Sequence, residues 1–74
     1  MDKRSAEKIA ISDKKGSKII KSYRGVIGGE EVFAFVVSSG GYDNEFVTVF
    51  SDGTTNSIDP MMAISIVKSL TEVE

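Results

Sequence analysis

At 74 residues and 8.0 kDa the chain can build one small domain, because a chain of this length buries only about 60% of its unfolded surface and cannot supply a second core. With neither Cys nor His, disulfide frameworks, thiolate zinc sites, an imidazole general base and a cysteine nucleophile are all excluded. The net charge of -2 conceals a split, with residues 1–24 at +5 and residues 25–74 at -7.

An apolar content of 41% and a charged content of 27% suit a folded soluble domain. No apolar run approaches the roughly 20 residues of a spanning helix, and residues 1–24 lack the apolar stretch of a signal peptide. The expectation is a cytoplasmic protein without a membrane partner.

In chain order, Lys3 to Ile11 reads as a strand that shows Ile9 and Ile11 on one face, although Asp2 could equally cap a short helix there. Asp13-Lys14-Lys15-Gly16 has the chemistry of a tight turn leading into a second strand, Ser17 to Ile27. Gly28-Gly29 suits a two-residue primed turn, which needs positive φ at its central positions. Opposed residues then sum to 57, which places Arg24 against Phe33, Tyr23 against Ala34, Ser22 against Phe35, Lys21 against Val36 and Ile20 against Val37.

Ser38 to Asn44 makes a looser connection, and Asp52-Gly53 signals a tight hairpin between Phe46 to Ser51 and Thr54 to Ile58. Asp59-Pro60 is a helix start, since Asp accepts free helical N–H groups and Pro lacks only a donor that would have no partner. From Met62 to Val73 the apolar residues Met62, Ala63, Ile66, Val67, Leu70 and Val73 recur at helical spacing, while Met61 and Ile64 fall off that stripe. The predicted fold is α+β: an antiparallel meander of four or five strands followed by one C-terminal α-helix packed on the sheet. A helix at residues 3–12 would change the order to helix, three strands, helix.

Both faces of the central strands are apolar. Val32, Ala34 and Val36 point one way and Phe33, Phe35 and Val37 the other; Phe46, Thr48 and Phe50 oppose Val47 and Val49 in the same manner. One C-terminal helix covers one face, so the second requires sheet curvature, a second copy or a foreign partner. Self-association through Phe33, Phe35 and Val37 is the expectation, giving a homodimer.

Lys14-Lys15-Gly16-Ser17-Lys18 lacks the glycine spacing of a phosphate loop, and Asp43-Asn44-Glu45 lacks the spacing of a calcium loop. Neither a catalytic residue nor a metal or cofactor is expected. Tyr42 stands beside Gly40-Gly41 and ahead of Asp43 and Glu45, a ring among small and acidic residues that suits a protein partner. With Met61 and Ile64 these form the expected partner surface. The composite reading is a non-catalytic interaction module acting through a sheet face and the 38–45 loop, a regulator, adaptor or inhibitor of the size common among virus-encoded accessory proteins, with no identity implied for its partner. The alternative is nucleic-acid binding through the basic segment 3–24, with Lys14, Lys15, Lys18 and Arg24 supplying charge beside Phe33 and Phe35.

Overall fold

The computed structural model describes residues 2–12, 17–38 and 44–73. Helix α1 (Lys3–Ser12) precedes strands β1 (Lys18–Ile27), β2 (Glu30–Ser38), β3 (Asn44–Phe50) and β4 (Thr55–Ile58). A 3-10 turn (Pro60–Ala63), a single-turn helix α2 (Ile64–Val67) and strand β5 (Thr71–Val73) complete the order. The sheet is antiparallel throughout its ladders and ordered β4-β3-β2-β1-β5, a meander whose C-terminal helical segment crosses one face to place β5 beside β1. The α+β meander with a C-terminal helical segment on the sheet is therefore present.

The first segment is a helix, in place of the expected strand. The Asp2 carboxylate accepts from the Ser5 backbone N–H at 2.8 Å, and Ala6 and Ala10 repeat at helical spacing on the buried side. Their small side chains let the helix approach the sheet closely, while Ile9 and Ile11, the apparent alternation, pack at its flanks. This helix answers the question of the second face. Phe35, Val37, Val47 and Val49 form one core layer beneath Ala6 and Ala10, and on the other side Tyr23, Ala34 and Phe46 lie beneath Ala63, Ile66, Val67 and Leu70. The chain covers both faces of its sheet with its own helices, so the apolar second face no longer demands a second copy.

The glycine turn is as expected, with Gly28 at φ 60° and Gly29 at φ 80°. Four of the five expected β1/β2 pairs are present; the fifth is displaced because a bulge at Ile20 pairs Ile19 with Val37. The Asp52-Gly53 hairpin differs by one residue. Val49 faces Thr55, the Phe50 N–H donates to the Thr54 carbonyl, and Gly53 at φ 89° takes the left-handed position of a three-residue loop.

The C-terminal helix is shorter than the apolar periodicity predicts. It ends at Val67, the Ser69 and Leu70 N–H groups donating to the carbonyls of Ile66 and Val67, and Thr71–Val73 pairs with Ser22 to Arg24. Ten-residue β1 would otherwise present a bare outer edge, and β-branched Thr71 and Val73 suit the strand that covers its middle. The expected core residue Met62 is 74% exposed, because only Ala63 of the 3-10 turn reaches the sheet deeply enough to be buried.

Candidate functional site

Among the described residues, two surfaces stand out once the cores are formed. The first is the outer side of the C-terminal helical segment. Asp59 is extended at φ -63° and ψ 132°, its carboxylate accepts from the Met61 N–H at 2.9 Å, and Pro60 fixes the first turn. That tight turn buries Ala63 and throws its neighbours outward: Met61 is 80% exposed and Ile64 58%, with Met62 between them. Residues Met61 and Ile64, chosen for lying off the helical stripe, are therefore at the surface. Met62 joins them, a residue assigned to the core by a periodicity that assumed α-helix from the first turn onward.

The second surface is the end of the α1-side face nearest the Gly28-Gly29 turn, beyond the reach of α1. Arg24 pairs with Phe33 and Val26 with Glu31, so the four share one face. Phe33 is half-buried and its ring lies parallel to that of Phe35 at 6.4 Å and 6°. A cavity of about 120 Å³ is lined by Arg24, Glu31, Phe33, Val49 and Ser51, and a neighbouring hollow of about 280 Å³ by Arg24, Val26, Glu31 and Thr71. The first is below the roughly 300–1,000 Å³ of a small-molecule pocket. Glu30 is engaged elsewhere, its carboxylate accepting from the Ser51 N–H and hydroxyl, whereas no ion pair among the described residues holds Arg24 or Glu31.

The remaining expected residues are dispersed. Phe35 and Val37 are 0% and 2% exposed beneath α1, so of the expected self-association set only Phe33 is accessible. The bulge at Ile20 pairs Lys18 with Ser38, on the face opposite Arg24 and Phe33, which divides the basic and aromatic platform predicted from strict alternation. Lys14, Lys15, Tyr42 and Asp43 lie outside the described residues. Glu45 stands in β3 opposite Val37, half-buried. Among the described residues no cluster of metal-ligating side chains occurs, and no helix is long and apolar enough to cross a membrane.

Two carboxyls are perturbed, both in capping roles. Asp2 is held below its ordinary value by the Ser5 N–H and then the Ser5 hydroxyl, and Asp52 by the Thr54 hydroxyl at 2.6 Å and then the Thr54 N–H at 2.9 Å. Each satisfies a local turn or helix start, a structural use for a carboxylate.

Compared with known proteins, the chain matches no family model, no curated relative and no solved structure.

Proposed function

We propose that the protein is a non-catalytic interaction module that binds a protein partner through the outer side of its C-terminal helical segment. The observation that carries the reading is the cluster Met61, Met62 and Ile64, three large apolar side chains more than half exposed within four residues, in a domain whose sheet faces are both covered by its own helices. Such a cluster is costly to leave in water, at about 25 cal/mol per Å² of apolar surface. Methionine suits it to a binding surface, since its flexible thioether adapts to the shape opposite. The turn that presents the cluster is fixed by Asp59 and Pro60, so little ordering is left for binding to impose. Tyr42 and Asp43, read from the sequence as a contact for a protein partner, extend this proposal to the 38–45 connection.

Two observations weigh against the nucleic-acid alternative. Phe35 is buried and Lys18 is separated from Arg24 and Phe33 by the sheet itself. A photo-crosslinking residue placed at position 62 tests the proposal against the same probe at exposed Lys68. Crosslinks to a protein from position 62 alone support it; equal yield at both positions, or crosslinks to nucleic acid, overturn it.

A further inference from the structure

The two outer edges of the sheet are finished differently. β5 lies along the middle of β1, whereas no strand among the described residues pairs with the outer side of β4. The Phe50 N–H donates to the Thr54 carbonyl, and Thr48 and Phe46 are opposed to Asn56 and Ile58. Because bonded and non-bonded pairs alternate along an antiparallel ladder, Asn56 and Ile58 turn their backbone groups to β3, and Thr55 and Ser57 turn theirs outward. Thr55, Asn56 and Ser57 are exposed. β4 runs without charge, proline or register shift, so of the devices that keep sheet edges apart it has only its shortness.

This edge is complementary to itself. Laid antiparallel along a second β4, with the two-fold axis perpendicular to the sheet at Asn56, Thr55 of each copy is opposed to Ser57 of the other. The outward N–H and C=O groups of both residues then bond reciprocally, and their hydroxyls face one another on the α1 side. Asn56 meets Asn56, an amide that both donates and accepts and so satisfies its own copy, and Ile58 meets Thr54. None of these pairs contains a charge. The helices stay clear of the axis, since α1 lies over Phe35, Val37, Val47 and Val49 of β2 and β3, and the C-terminal segment leaves β4 at Asp59 and crosses Phe46, Ala34 and Tyr23 toward β5. We propose that the occupant of this edge is a second copy of the chain, in an isologous dimer that joins two sheets into one through β4. The mode differs from the self-association expected from the sequence, because Phe33, Phe35 and Val37 take no part. The strip is small against the roughly 800 Å² per partner of a standard interface, and Asp52 of each copy comes toward Asp59 of the other. The expected dissociation constant is therefore on the order of 100 µM, falling as salt screens the like charges.

Position 56 faces itself only in this register, so it carries the test. In sedimentation equilibrium from about 10 µM to 2 mM, the wild-type chain should pass from monomer to dimer, more tightly at high salt. Asn56→Lys and Asn56→Glu should each weaken dimerisation by about tenfold or more, since each sets like charges opposite one another, and an equimolar mixture of the two should recover a heterodimer. Ser57→Pro should abolish association and leave the domain folded, because the N–H it removes lies on the solvent side of an edge strand, where proline is tolerated. In the wild type, hydrogen exchange at the Thr55 and Ser57 amides should slow as concentration rises. A wild-type chain that stays monomeric at the highest concentration leaves the edge to a foreign strand and overturns the proposal. So do position-56 variants that each dimerise like wild type, a mixture that fails to associate, or a dimer whose Thr55 and Ser57 amides exchange as fast as in the monomer.

Discussion

Leu70 sits over Gly25. A Cβ placed at Gly25 would collide with the Leu70 Cδ2 methyl and lie 3.3 Å from the Leu70 Cα, so Leu70, the last residue before β5, is seated in a notch that only glycine leaves open on β1. The contact fixes where the segment leaves the sheet and hence where β5 begins, one residue later.

Overpacking of such a notch costs about 1–3 kcal/mol. The gain from stiffening the unfolded chain, about 0.4–1 kcal/mol, offsets part of it. Gly25→Ala should therefore destabilise by about 1 kcal/mol in urea denaturation, and the penalty should shrink or change sign in a Leu70→Ala background. Additive effects of the two substitutions would contradict the contact.

Asp59 holds the turn that presents the methionines. Asp59→Ala removes the acceptor for the Met61 N–H and should cost about 1 kcal/mol, read from the denaturation midpoint, while Asp59→Asn should retain most of that stability. An unchanged midpoint for the alanine variant would remove the cap from the account.

At acid pH the helix and hairpin caps should fail in a defined direction. Asp2 and Asp52 are held below the ordinary aspartate value in the folded state, so each contributes stability that is present above the unfolded-state value and lost as pH falls through the folded one. Titration of the two carboxyls by NMR should place both midpoints below that of an unfolded-chain aspartate, and Asp2→Asn with Asp52→Asn should flatten the acid limb of the stability curve. Midpoints at or above the ordinary aspartate value would contradict the assigned bonds.

Much of the sheet was legible because its signals are local. Gly28-Gly29 demanded positive φ, and that turn alone set the pairs from Arg24–Phe33 to Lys21–Val36. The errors arose where the outcome depended on residues far along the chain. Ile9 and Ile11 are spaced like a strand, and only the need of Phe35 and Val47 for a cover decides for a helix carrying Ala6 and Ala10. Thr71 to Val73 continues a helical stripe, yet β1 offers it an unpaired edge. The exposure of Met61 and Ile64 follows from the stripe they violate, whereas the surfacing of Met62 depends on a 3-10 turn that period-3.6 reasoning does not anticipate. The separation of Lys18 from Arg24 depends on one bulge residue, and a bulge has no composition signal here.

Exposure separates fold from binding in the methionine turn. Met61→Ser and Met62→Ser should leave the unfolding free energy within about 0.5 kcal/mol of wild type, since both side chains are at the surface. Ala63→Leu, at 0% exposure beside Phe46, should destabilise by about 1–3 kcal/mol.

Quantitative affinity purification from the cells that express the protein tests whether the methionine turn binds a protein partner, comparing wild type with Met61→Ser/Met62→Ser/Ile64→Ser and with Lys18→Glu/Lys21→Glu. Binding through the methionine turn predicts a protein enriched by wild type and by the charge-reversed variant and lost, by about tenfold or more, from the triple variant. Retention of the same protein by the triple variant, or nuclease-sensitive recovery that the charge reversals abolish, would contradict it.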